Sequence, residues 1–314
     1  RKLMLQRGDA DMVYVPVMNM SEVVEMEGVE LMKGLATLTN VVTNMPWQLN
    51  AEGNANLGSG KLDGEGIPAD FFSDIHVRRG FSYLFPYDTF IEKTALEQAI
   101  RNPGPFPAPL YGYTEDPEVY YQFDLAKATE EFKLAWNGEL WEKGCKFNIF
   151  YNEGNDVRKS ACDMLSTYAK MVNPKFDLTA VGVQWSSYLK QFLAEQLPMY
   201  TIGWLADYPH SHNWAPTYLG STGTYSAYYG KVYVDWAKEN TDPLIEKALN
   251  SVDPQEQKKI YEELTQLAHD QAVALYLYQP IGIHVQRDWI KGWYHSPVIS
   301  GLPEGADFYY IYKE

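Results

Sequence analysis

The chain has 314 residues, 46% of them hydrophobic and 21% charged, and its 26 basic against 41 acidic side chains leave a formal net charge of −15 and a pI near 4.9. An acidic surface repels phosphate backbones, which argues against nucleic-acid binding, and no cluster of Lys or Arg points to a site on an anionic membrane. No stretch approaches the run of about 18 apolar residues that a membrane-spanning helix needs.

In chain order, the opening RKLMLQRGDADMVYVPV starts at Arg1 without an initiator Met and reads as part of a longer or processed chain. The apolar runs DMVYVPV and LATLTNVVTNM predict strands, with a short helix between them over residues 21–27. Residues 50–70 are rich in Gly, Asn and Asp and predict a surface loop. Residues 101–123, rich in Pro and Tyr, predict an extended irregular segment. From there the pattern alternates. DLAKATEEFKLAWN reads as a helix capped by Asp124, CKFNIFY as a strand, and VRKSACDMLSTYAKMV as a helix with Val157, Ala161, Leu165, Tyr168 and Val172 on one stripe. DLTAVGVQ, SSYLKQFLAE and PMYTIGW continue as strand, helix and strand, an α/β unit with right-handed crossovers. After a loop over 207–230, two helices follow. The second opens with Asp253, Pro254 and Glu256, the pattern of a capping box. AVALYLYQP predicts a further strand before the aromatic end GADFYYIYKE.

The chain has no P-loop, dinucleotide fingerprint, nucleophile elbow or H-E-x-x-H motif. His210 and His212 with Asp207 are too few for a metal shell, so neither a metal nor a cofactor is expected. Cys145 and Cys162 leave open one disulfide or two buried thiols. Acidic pairs for glycoside hydrolysis carry no weight in a chain with 41 acids. The aromatic residues are the stronger signal. Trp185, Trp204, Tyr208, Trp214, Tyr218, Tyr225, Tyr228 and Tyr229 gather near predicted strand ends, where α/β sheets bind ligands.

Several segments in order carry a resemblance: RGDADMVYVP (7–16), DIHVRRGFSYLFPYDTFIEK (74–93), FDLAKATEEFKLAW (123–136), QWSSYLKQF (184–192) and GWLADYPHSHNW (203–214), followed by DPQEQKKIYEELTQLAHDQAVALYLYQ. Together they resemble the family 5 extracellular solute-binding proteins, the oligopeptide- and dipeptide-binding receptors of ABC importers. The resemblance implies a two-lobed fold of the type II periplasmic-binding-protein kind, here one complete lobe plus part of the other. Residues 1–48 would end lobe I, 49–283 would form the second large lobe, and 284–314 would return to lobe I. Hinge strands are expected near 41–49 and 282–286.

The resemblance further implies a monomeric, extracytoplasmic receptor, a lipoprotein or a free periplasmic protein, that captures peptides without catalysis and delivers them to a membrane permease. An oligosaccharide or other small solute is the alternative ligand, and a carbohydrate-active enzyme the alternative class. Asp207 matches the acid that meets a ligand's α-ammonium group in relatives, and Trp185, Trp204, Tyr208 and Trp214 are the expected ring contacts. Between Trp185 and Trp204 the chain has no arginine, only Lys190, with Phe192 and Thr201 where relatives can carry positive groups. That absence argues against capture of a short peptide's carboxylate.

Overall fold

The structure is a computed structural model that describes residues 1–298 and 308–314. Residues 299–307 of the expected closing return lie outside the described residues. Ten strands occur in chain order among them: β1 (Val29–Leu35), β2 (Thr39–Asn44), β3 (Ala99–Ile100), β4 (Cys145–Asn152), β5 (Phe176–Val183), β6 (Met199–Leu205), β7 (Ala274–Pro280), β8 (Gly282–Arg287), β9 (Ile290–Lys291) and β10 (Tyr312–Lys313). Six of them form one mixed sheet in the order β3-β7-β2-β6-β4-β5. Within it β4 runs parallel to both β5 and β6, while β2 is antiparallel to β6 and β7.

The parallel part follows from the expected alternation. The helix Asp156–Val172 links β4 to β5, and Trp185–Leu193 links β5 to β6. Because successive strand side chains point to opposite faces, each strand feeds two cores. Val41 of β2 and Leu275 and Leu277 of β7 enter one core with Phe81, Phe132 and Leu165. Val42, Ala274 and Tyr276 enter the other with Tyr218, Tyr233, Tyr261 and Leu264. The sheet is therefore covered by helices on both faces. A third, small core of Leu5, Val13, Val15, Val23 and Val285 lies outside the large sheet, and Val285 belongs to the antiparallel β1–β8 ladder.

Local differences from the expectations have physical causes. DMVYVPV is not a strand; its start lies along β8 through the bridge Met12–Gln286, with Val13 N–H donating to the Val285 carbonyl (3.2 Å) and Arg287 N–H to the Asp11 carbonyl (2.8 Å). Residues 21–27 are not a helix; a 3-10 turn covers Val17–Glu22 instead. Asp124 caps its helix by accepting from the N–H groups of Ala126 and Lys127, as expected. At the last long helix, Pro254–Asp270, Asp253 accepts from Gln255 N–H, but Glu256 turns to Ser251 and Lys247, and the Ser251 hydroxyl meets the Asp253 N–H instead. The capping box is thus half formed. Cys145 begins β4 and Cys162 lies in the helix Asp156–Val172; both are free, buried thiols rather than a disulfide. Burial raises the Cys162 thiol pKa to about 12.

The chain passes between the β1–β8 ladder and the large sheet at residues 36–38 and again at Ile281. Of the segments expected as hinge strands, Val41–Asn44 pair on both edges inside the large sheet and Gly282–Gln286 pair with β1. The two crossings are tied together. Thr37 Oγ1 donates to the Pro280 carbonyl (2.5 Å), and Gln279 Nε2 donates to the carbonyls of Thr37 (2.7 Å) and Ala108 (3.0 Å).

Candidate ligand-binding site

Strands β4 and β6 run parallel, with β5 on the far side of β4, so all three end at the same edge of the sheet. At that edge lies an open cleft of about 440 Å³. Its lining combines Asn152 from the end of β4, Asn155 and Arg158 from the start of the next helix, Trp185 from the residue after the β5 turn, the β6 end Ile202–Leu205, and Asp207 and Tyr225 beyond it. Carboxyl ends of strands are where open α/β sheets place ligands, because the loops there are free to vary over a fixed scaffold.

Asp207 is exposed in the cleft wall. It does not cap the following turn. Its backbone N–H donates to Asn213 Oδ1 (3.2 Å), and its Oδ2 accepts from Asn213 Nδ2 (3.1 Å). No basic side chain pairs with Asp207 among the described residues. The carboxylate is therefore held by a neutral amide and keeps its charge available to a cation.

Trp204 is half-buried. Its indole Nε1 donates to the same Asn213 Oδ1 (2.9 Å), and its ring meets Tyr225 edge-on at 5.6 Å and 89°. Tyr225 donates its hydroxyl to the Gly203 carbonyl (2.8 Å), which fixes that ring against the strand. Trp185 is 49% exposed and stacks on the buried Tyr188 at 5.6 Å and 17°, leaving its other face open. Tyr208 and Trp214 do not line the cleft. Tyr208 bonds His212 Nδ1 (2.8 Å), and Trp214 is fully buried in the core beneath. His210 Nδ1 accepts from His212 N–H (3.1 Å), so both imidazoles serve the loop, and burial lowers the His212 pKa. No group of three or more His, Cys, Asp or Glu able to hold a metal exists among the described residues.

Arg158 is the cleft residue that the sequence reading missed. Its guanidinium lies over β6 at Gly203, where an added Cβ would sit 2.8 Å from Nη2. Nη1 donates to Asn152 Oδ1 (2.7 Å), and the buried Nε–H has no acceptor. Its charge reaches the tyrosines below and offsets part of the rise that burial imposes on the Tyr225 phenol. The arginine that the interval Trp185–Trp204 lacks thus arrives from a neighbouring helix. The available signal was the asparagine-capped helix start NDVR after a strand, which points its first turn at the strand ends.

The family model described as "Bacterial extracellular solute-binding proteins, family 5 Middle" matches residues 1–226, well over half of the chain. The chain belongs to this family. Among curated relatives, it is similar to Di/tripeptide-binding protein 4 of Pseudomonas aeruginosa, at 24% identity over 66% of this chain and 39% of the relative. It is also similar to the dipeptide-binding protein of Escherichia coli, at 23% identity over 72% and 41%. Among solved structures, the fold matches DppA from Helicobacter pylori in complex with the peptide STSA, with a TM-score of 0.76 and 20% identity over 99% of this chain and 54% of that one. A dipeptide-binding protein from Pseudoalteromonas in complex with Met-Leu gives a TM-score of 0.77 at 15% identity, over 99% and 55%. These neighbours place this family 5 chain in the two-lobed type II class, of which it spans about half the length.

Proposed function

We propose that this chain is about half of an extracytoplasmic receptor that captures peptides and passes them to a membrane permease without changing them chemically. The β1–β8 ladder with residues 1–35 and the described end of the chain is the portion of lobe I present, and the six-stranded sheet forms the other lobe. The crossings at 36–38 and 281 join the two, and ligand touching both lobes shifts the population toward closure.

The observation that carries this reading is one cleft at the strand ends bearing an acid, Asp207, without a basic partner among the described residues, and an arginine, Arg158, without an acidic one among them. Opposite charges that do not satisfy each other suit a ligand carrying both, and a peptide offers an ammonium group and carboxylates. Trp185 and Trp204 supply flat apolar faces between them. Glycoside hydrolysis asks for two carboxyl groups about 5–9.5 Å apart, whereas Asp207 is the one acid among the described residues lining the cleft.

Native mass spectrometry on the protein purified without refolding tests the reading. Bound masses spaced by amino-acid residues support a peptide receptor, and hexose spacing overturns it. Substituting Asp207→Asn should weaken peptides with a free amino terminus by about 1.5–3 kcal/mol, tenfold or more, because it removes a charge-assisted hydrogen bond. N-acetylated peptides should bind the variant and the parent alike by titration calorimetry.

A further inference from the structure

Asn213 is buried, 6% exposed, and sits at a junction: it ends the 3-10 turn Ser211–Asn213, and its amide makes three bonds to two cleft residues. Oδ1 accepts from Trp204 Nε1 (2.9 Å) and from the Asp207 backbone N–H (3.2 Å), while Nδ2 donates to Asp207 Oδ2 (3.1 Å). The turn that carries it is held from outside. Ser211 Oγ donates to the Tyr111 carbonyl (2.7 Å), Asn213 N–H donates to the His210 carbonyl (2.9 Å), and Thr217 Oγ1 donates to the Asn213 carbonyl (2.9 Å).

An amide with its oxygen committed to two donors has only one orientation, because flipping it would face N–H groups with N–H groups. The nitrogen is then obliged to point at Asp207. One carboxylate oxygen is thereby taken from inside the protein, and the other is left for the cleft. The same oxygen that fixes the backbone of the acid also fixes the plane of the indole. Neither group can turn without breaking a bond to the amide they share.

We propose that Asn213 is a positioning residue that locks the Asp207 carboxylate and the Trp204 ring into one arrangement, so that a ligand's ammonium group and its first apolar segment are read as a unit. The proposal rests on the reading of Asp207 as an amine anchor. Asp207 selects the charge, Trp204 the adjoining surface, and Asn213 sets the angle between them. A ligand lacking either feature then loses more than that feature's own contact, since energetic coupling arises where two groups share a partner.

The test uses the complete chain and a library of tripeptides, offered with free and with N-acetylated amino termini and read by native mass spectrometry and titration calorimetry. The parent protein should prefer the free-amine half at least tenfold. In Asn213→Leu, which keeps the side chain's bulk but none of its three bonds, that preference should fall to within about threefold, with N-acetylated binding little changed. A cycle of Trp204→Phe and Asp207→Asn, run on folded proteins, should be non-additive in the parent and additive in the Asn213→Leu background. A uniform loss for both halves of the library, or an additive cycle in the parent, overturns the clamp. A parent that binds both halves alike overturns the amine anchor itself and this proposal with it, whereas a parent and Asn213→Leu that discriminate equally overturn only the clamp. If Asn213→Leu does not fold, the cycle in the parent decides alone.

Discussion

Gly203 shows what a residue without a side chain does for this cleft. It lies within β6 with ordinary extended geometry, so its use is space: a Cβ there would meet Arg158 Nη2 at 2.8 Å and the Asn40 carbonyl at 3.2 Å. Gly203→Val should push the guanidinium off the strand and weaken peptides with a free carboxylate by about tenfold, the order expected for a hydrogen bond to a charged group. C-amidated peptides should be unaffected in the same titration, and an equal loss for both would count against Arg158 as the anion contact. Of the cleft residues, Asp207, Trp185 and Trp204 were legible because they sit in segments that resemble a known family. Arg158 was not, because it belongs to a different segment and meets Gly203 only through the parallel pairing of β4 with β6. Trp214 was legible as an aromatic near a strand end, but sequence position does not say which side of the strand end a ring takes, and it went to the core.

Among the elements, helices were the most legible, since their signals are local. Asp124 illustrates this: its Oδ1 accepts from two backbone N–H groups that would otherwise lack partners, at 2.9 and 3.0 Å. Asp124→Ala should cost about 1 kcal/mol, seen as a lower urea midpoint with an unchanged slope. The half-formed box at Asp253 marks the limit of such reading, because Lys247 and Ser251 compete for Glu256 from the preceding helix and its exit. Strands near the start of the chain were less legible. DMVYVPV has strand composition and its start meets the edge of β8 away from β1, but Pro16, which has no N–H to give, and the 3-10 turn Val17–Glu22 stop the pairing from extending into a strand.

At the scale of the whole molecule, the order of strands and helices gave the α/β class, and the resemblance gave the two-lobed plan that the structural neighbours share. The sheet order was not legible, because β2 and β7 join the sheet from the two ends of the large lobe through long-range pairing. Stability should also depend on pH through the buried His284 and the half-buried His269. Burial lowers the pKa of His269 and of His284 below the ordinary value near 6.5. The unfolded chain then binds more protons than the folded one between the two values, so stability is full above about 6.5 and falls as the pH drops below it. A melting temperature that declines from pH 7 to pH 5, and declines less in His269→Gln, is the expected result; a flat profile would contradict it. The lacing of the two crossings bears on how such a molecule can move. Two separate connections between bodies would permit twist, shear and splay, whereas hydrogen bonds from Thr37 to Pro280 and from Gln279 to Thr37 tie these two together. Gln279 also grips Ala108 on both sides of its peptide, so the proline-rich segment is tied in with them. On the proposed reading as a receptor, such lacing would confine opening to a single angular coordinate, and the size of that angle alone would report the ligand to a docking partner.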